Sequence, residues 1–183
     1  MKPTNDSQLR LLLPRKKHRR AVEQYKRKFA NESSIYGSGD LDKLCFKDWL
    51  CNCKNFRTGK NLPTGFVAST QFLAMKISDK TLVGMITIRH ALTPFLERLG
   101  GHIGYSVAPD ERGKGYATAM LRLALGECRK LGIERARVTC ERENRASAAV
   151  IKKCGGEYDG DAEYNGDIEK FKGKTFERYW ISL

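Results

Sequence analysis

The chain has 183 residues and a formal net charge of +13, with 34 Lys and Arg set against 21 Asp and Glu. That length suits a single domain, here 1–183, with a sizeable core. It holds no apolar run near the length of a membrane span, and no internal repeat or low-complexity tract.

The basic charge is uneven. Residues 1–30 contain ten Lys and Arg against Asp6 and Glu23, which places +8 in the first sixth of the chain. Pro14 suits the first position of a helix, and Ala21, Val22, Tyr25 and Phe29 mark an apolar stripe. Arg15, Lys16, Arg19, Arg20, Arg27 and Lys28 fall mostly outside that stripe. The expectation is a basic helical extension over about 1–30, serving as a solvated face or as a surface for an acidic partner. Basic arms also bind nucleic acid by neutralising phosphates. Little aromatic interleaving and no base-reading module make that partner the weaker expectation. Leu11 to Leu13 precede the charges and are too few for a signal peptide, so a cytoplasmic location is expected, with the six cysteines as thiols. Cys45 and Cys51-x-Cys53 lack a second paired element, so no metal site is expected.

After Gly37-Ser38-Gly39-Asp40, a second helix is expected from Cys45 to Phe56, then a mobile loop from Lys54 to Gly65. Phe66 to Ile77 and Leu82 to Arg89 alternate around a turn at Ser78-Asp79-Lys80, which predicts a hairpin. Ala91 to Leu99 reads as a short helix interrupted near Pro94, and His102 to Val107 as a strand ending at Pro109. Ala117, Leu121, Ala124, Leu125 and Cys128 follow helical spacing up to Gly132. Ala136, Val138 and Cys140 alternate as a strand. Asn144, a good N-cap, opens a helix from Ser147 to Cys154 that Gly155-Gly156 closes. Phe176 to Ile181 reads as a last strand. A leading strand, antiparallel hairpins and two later helices predict an α/β fold with a mixed, mostly antiparallel sheet flanked by helices.

The segment Val107 to Ala117 is the most informative. Glycines and cations converge where a helix begins, and a helix N-terminus offers unpaired N–H groups and the positive end of the macrodipole. Such a place accepts a pyrophosphate. The P-loop string G-x-x-x-x-G-K-[ST] does not occur. The dinucleotide pattern G-x-G-x-x-G/A fails at Thr118. Arg112, Gly115 and Ala117 instead satisfy R-x-x-G-x-A, which resembles the coenzyme A pyrophosphate loop of GNAT acetyltransferases. Strand, loop, helix, strand, Asn, helix and Gly follow in the order of that superfamily between His102 and Gly156. Val83-Gly84, Ile88-Arg89-His90 and Gly100 to Val107 also look like a bacterial subgroup described mostly as predicted acetyltransferases.

The resemblance implies a GNAT-like sheet and acetyl transfer from acetyl-CoA to an amine by direct attack in a ternary complex. It implies acetyl-CoA as co-substrate and no metal. Arg112, Gly113, Lys114, Gly115, Tyr116, Ala117 and Thr118 would hold the pyrophosphate, mainly by main-chain amides. Val107 would pair with pantetheine, and Asn144 and Ser147 would approach its thioester end. The basic N-terminus could also reach the 3′-phosphate. No covalent nucleophile is implied, so Cys140 and Cys154 are expected to pack.

One departure concerns the acid: the superfamily often has a Tyr seven residues after the Asn, where this chain has Ile151. Tyr158 and Tyr105 are the alternative proton sources. For the base, His102 is the first candidate, because a neutral imidazole is available near pH 7; a His bonded within a Gly-rich turn is the other reading. Glu141, at the exit of its strand, is second, and serves equally as a surface carboxylate or substrate anchor; His90 is third. The missing Tyr leaves room for a non-catalytic acyl-CoA-binding or sensing protein. The basic N-terminus leaves room for a nucleic-acid-associated one. The acceptor amine is open, the positive field disfavours a polycationic one, and a homodimer is compatible.

Overall fold

The described residues form seven strands: β1 (Leu9–Leu12), β2 (Ser69–Lys76), β3 (Leu82–Arg89), β4 (Ile103–Val107), β5 (Arg135–Glu141), β6 (Glu157–Glu163) and β7 (Thr175–Ser182). The computed structural model, which describes residues 8–166 and 168–183, joins them in one sheet of order β1-β2-β3-β4-β5-β7-β6. Every neighbouring pair is antiparallel except β4–β5. Four helices flank the sheet: α1 (Arg19–Arg27), α2 (Phe46–Thr58), α3 (Tyr116–Lys130) and α4 (Arg145–Lys153). The mixed, mostly antiparallel α/β architecture expected from the sequence is present.

Successive strand residues turn to opposite faces, which divides the core in two. On one face Ile86, Ile88, Ile103 and Val138 pack with Met120 and Leu121 of α3 and Ile151 of α4. On the other, Leu73, Met75 and Met85 meet Val22 and Tyr25 of α1 and Trp49 of α2. Full burial of a side chain such as Leu73 or Ile86 stabilises by about 1.5–3 kcal/mol relative to exposure. Trp49 also donates its indole N–H to Ser38 O (2.6 Å), which satisfies a buried donor and ties down the α1–α2 connection.

Four local expectations change. Instead of a continuous helical extension, Leu9–Leu12 form an edge strand on Leu73–Lys76. A 3₁₀ turn at Lys16–His18 then leads into α1. Consecutive leucines have no helical periodicity, and a sheet edge buries Leu9 and half-buries Leu11 without it. Lys2 and Asp6 lie outside the described residues. α2 runs on through Thr58 to Gly59, a left-handed C-cap, and takes up the first part of the expected mobile loop. Pro94 starts a helical turn rather than interrupting one, and a π-helix follows at Leu96–Gly100. A missing N–H costs nothing in a first turn. The fourth, β6, was unanticipated: Glu157 to Glu163 is rich in residues that strands disfavour. Its ladder with β7 overrides that preference.

The parallel junction positions the site. Ile103↔Val138 is the single register pair between β4 and β5. β4 stays paired to β3 as far as Val107, and β5 to β7 as far as Glu141. The two strands therefore part beyond Val138 and open a slot between Gly104–Val107 and Thr139–Glu141. Arg89 N donates to His102 O and Ala108 N to Val83 O. Alternate residues of an antiparallel strand turn their backbone groups the same way, so Tyr105 and Val107 present theirs to the slot.

Candidate active site

The loop beyond β4 ends in an uncapped helix. Pro109–Glu111 make a 3₁₀ turn, and the chain enters α3 through Gly115 at φ 81°, ψ 0°. Left-handed backbone of this kind suits glycine, and Gly113 (φ 74°) shares it. No side chain caps α3. The first amide in its ladder is that of Ala119, donating to Gly115 O (3.2 Å), so the N–H groups of Tyr116, Ala117 and Thr118 lie ahead of the ladder. They form a cradle for an anion.

The cations around this cradle already have partners. Arg112 pairs with Glu32 (2.7 Å), donates from Nε to Val107 O (3.2 Å) and lies over the Phe29 ring. Lys114 folds back onto Asp110 O (2.7 Å) and Glu111 Oε2 (2.9 Å). Burial disfavours the Glu111 carboxylate, yet Lys114 and Lys76 (3.0 Å) outweigh it and keep the carboxyl below its ordinary range. Arg112 is thus a brace between the α1–α2 connection, β4 and the loop. With both cations engaged, the amides and the dipole of α3 remain the groups facing the cradle.

Two faces meet at the slot. On the α3/α4 face, Tyr105 reaches across from β4, and its hydroxyl lies 2.8 Å from Ser147 Oγ on α4. Burial pushes the Tyr105 hydroxyl up from its ordinary value, so it remains protonated at neutral pH. Asn144 is the N-cap of α4, its Oδ1 accepting from Ser147 N (3.0 Å). Cys140 is buried beside this group, and burial raises its thiol to about 11, which suits packing rather than nucleophilic attack.

On the α1/α2 face, the Glu141 carboxylate holds Lys174 Nζ at 2.9 Å from each oxygen. It also accepts from Tyr36 OH (2.8 Å). Burial, then Glu141, pushes the Tyr36 hydroxyl up to about 12.

Residues 9–157 match the family model described as "Acetyltransferase (GNAT) domain". The chain belongs to the GNAT acetyltransferase family. Among curated proteins, none matches the chain significantly by sequence. Solved structures share its GNAT fold at low identity. RimJ of Mycobacterium smegmatis, in complex with CoA-disulfide, has a TM-score of 0.71 and 20% identity over 96% of this chain and 82% of its own. A Salmonella typhimurium acetyltransferase that modifies the N-terminal serine of ribosomal protein L7/L12 has a TM-score of 0.70 and 16% identity, covering 97% and 96%. Mutant forms of the spermidine/spermine N-acetyltransferase SpeG from Vibrio cholerae have a TM-score of 0.66 and 17% identity, covering 96% and 94%.

Within this GNAT domain two candidate residues lie in places unsuited to the roles expected of them. His102 is buried at the closed end of the slot, and its Nδ1 accepts from Arg137 N (2.9 Å). That bond places the ring proton on Nε2, leaving no lone pair for a base. Burial, with Arg89 and Arg137 nearby, lowers its pKa to about 4, so the ring is a neutral strut. Tyr158 stands on β6, separated from β5 by β7. It is 58% exposed and donates to Asp161 Oδ1 (2.8 Å), which removes it from the slot. His90 pairs with Thr70 (2.8 Å) just past the end of β3. Ile151 is fully buried on the inner face of α4, a packing position in this chain.

Tyr36 and Lys174 were missed. The Gly37-Ser38-Gly39 break beside Tyr36 was the available signal, but nothing local links it to residues 141 and 174. Two surface hollows of about 440 and 450 Å³ lie elsewhere. One is between α1 and α2, around Glu23 and Phe46; the other is between the π-helix and the β6–β7 connection, around Phe95 and Tyr164. Neither is lined by residues of the cradle or slot. No helix among the described residues is long and apolar enough to cross a membrane, and no three His, Cys, Asp or Glu among them gather to hold a metal ion.

Proposed function

We propose that this GNAT acetyltransferase moves the acetyl group of acetyl-CoA onto an amine in the cytoplasm, with Glu141 as base and Tyr105 as acid. The observation that carries the reading is the β4–β5 slot, closed at Ile103↔Val138 and ending at the uncapped α3. The amides of Tyr116 to Thr118 take the pyrophosphate, with Gly113 and Gly115 shaping the loop. The main chain of Tyr105 and Val107 pairs with the amide-bearing pantetheine arm, which brings the thioester toward Tyr105, Asn144 and Ser147. The amine arrives from the α1/α2 face.

An ammonium cannot attack a thioester, so Glu141 removes its proton. The freed lone pair attacks the carbonyl, and the tetrahedral oxyanion needs a donor from the slot. The C–S bond then breaks, and Tyr105, kept protonated by burial, supplies a proton to the departing thiolate. Direct transfer asks for no covalent enzyme intermediate, so Cys140 and Cys154 have no chemical part.

Titration calorimetry with acetyl-CoA tests the cofactor half. The wild type is expected to bind, and Gly115→Trp to bind roughly 100-fold more weakly, about 2.7 kcal/mol. Saturable binding with thiol release in an amine panel supports the enzyme; binding without turnover would favour a sensor. The net charge of +13 implies that a polycation such as spermidine accepts more poorly than an amine on a neutral or acidic carrier. Absence of acetyl-CoA binding at low salt would end the reading.

A further inference from the structure

The Glu141 carboxylate already holds an ammonium. Lys174 Nζ sits 2.9 Å from both oxygens, the pose required of an amine about to give up a proton. An ordinary surface Lys–Glu pair is loose and contributes little; here the backbone of one partner and the carboxylate of the other have further hydrogen bonds. Lys174 N donates to Phe171 O (3.0 Å), and Lys174 O accepts from Tyr164 N (3.0 Å), so its backbone is fixed. Glu141 Oε1 also accepts from Tyr36 OH.

Tyr36 also reports where this pair stands. Its neighbour Gly37 lies against β4, with Gly37 Cα only 3.4 Å from the place a Cβ on Gly104 would occupy. A Cβ on Gly37 itself would fall 2.2 Å from Gly104 O, so only glycine fits there. Gly37 O is clamped by Gln71 Nε2 (3.0 Å) and Thr87 Oγ1 (3.0 Å). From that anchor on β4, the Tyr36 side chain reaches Glu141 on β5. It therefore spans the slot, and the Glu141–Lys174 pair sits at the slot's mouth.

We propose that Lys174 is an acetyl acceptor in cis, modified at this same site when no external amine is present. The inference rests on the acetyltransferase reading above. Glu141 takes a proton from the Lys174 ammonium, and the Nζ lone pair forms the C–N bond to the acetyl carbon. The C–S bond breaks, and the thiolate is protonated as coenzyme A thiol. In sum, one ammonium and one acetyl thioester become one amide, one thiol and one released proton. Acetylation removes the charge that holds Lys174 on Glu141, and so frees the carboxylate for an external ammonium. Lys174 is then both the first acceptor and the plug of the acceptor subsite.

The test incubates the full-length protein with acetyl-CoA alone and follows acetylation by peptide mass mapping. The expected result is a rise to near one acetyl per chain at Lys174, at least about tenfold ahead of Lys172, its exposed near neighbour, and Lys114, beside the cofactor loop. Gly115→Trp should abolish the reaction. Glu141→Gln should slow it at least about tenfold while calorimetric binding of acetyl-CoA persists, which also reports a folded protein. Tyr36→Phe should slow it less. Acetylation spread over exposed lysines regardless of Glu141 would overturn the proposal. So would an unmodified Lys174 in protein that binds acetyl-CoA and turns over an added amine. Failure to bind acetyl-CoA would instead remove the acetyltransferase reading, and this inference with it.

Discussion

The proposed cofactor side of the slot is a single run of chain, Val107 to Thr118, and the groups it would work through are main-chain amides ahead of α3. The proposed acceptor side collects Tyr36, Glu141 and Lys174 from three distant places and would work through side chains. A main-chain cradle needs only the loop's path and its glycines, so its ligand is legible in a short motif. A side-chain cluster depends on how the α1–α2 connection and the β6–β7 turn are laid over the sheet. The proposed acceptor half is thus the half that local sequence says least about.

The comparison breaks most visibly at Glu141. Glu141→Gln is expected to lower kcat for amine transfer by about 10²–10⁴-fold, while the acetyl-CoA Kd stays within about twofold. Steady-state kinetics beside calorimetry separates the two. Equal losses in both would mean that the halves are not independent.

Next in size is His102, which belongs to neither half. Its folded-state pKa is lowered from 6.5 to about 4. Between those values the unfolded chain binds a proton that the folded one refuses. Its contribution is therefore complete above about pH 6.5 and is lost as pH falls toward 4. The expected loss is on the order of 3 kcal/mol, read as a slope in denaturant stability against pH that His102→Asn flattens. If activity rather than stability followed this titration, the ring would be a base after all.

Tyr105→Phe sharpens the boundary between the halves, since this side chain crosses the slot to Ser147. We expect kcat to fall about tenfold, with stability lowered by about 1 kcal/mol for the lost bond and acetyl-CoA binding little changed. A fall in stability alone would leave it a structural link. The smallest effect is expected for Tyr158→Phe. At an exposed site beyond β7, it should leave rate within about twofold and stability within about 0.5 kcal/mol.

Much of the frame was legible because it rests on local rules. Alternation exposed β2, β3, β4, β5 and β7, helical spacing exposed α3, and the Asn144 cap with its closing glycines exposed α4. Failures fell where long-range pairing overrode local preference. β1 arises because Leu9–Leu12 find the free edge of β2. β6 arises because β7 offers its second edge to a polar segment that would not extend alone. Among site residues, Asn144 as a cap was readable from its type. The role of Arg112 was not, since Glu32, its counter-ion, lies 80 positions earlier.

His102 shows the same limit from the other side. A histidine at the head of a strand advertises a base, and nothing within its own segment announces that Arg137 N will occupy Nδ1 from another strand. Tyr105 and Tyr158 were equal candidates by type. Strand order alone separated them, placing one across the slot and the other beyond β7.

The sequence by itself determined the glycine turn ahead of α3, because left-handed glycines and an uncapped helix start are properties of adjacent residues. It also determined most of the strands and helices, through their periodicity. Only the tertiary structure decided which titratable groups meet. A strand's periodicity says which face a side chain takes, but not which distant loop will lie on that face. The pairing of Glu141 with Tyr36 and Lys174 follows from the packing of Gly37 on Gly104 and from β5 lying beside β7. Contacts over such separations are set by the folding of the whole chain, so no local pattern in the sequence carries them.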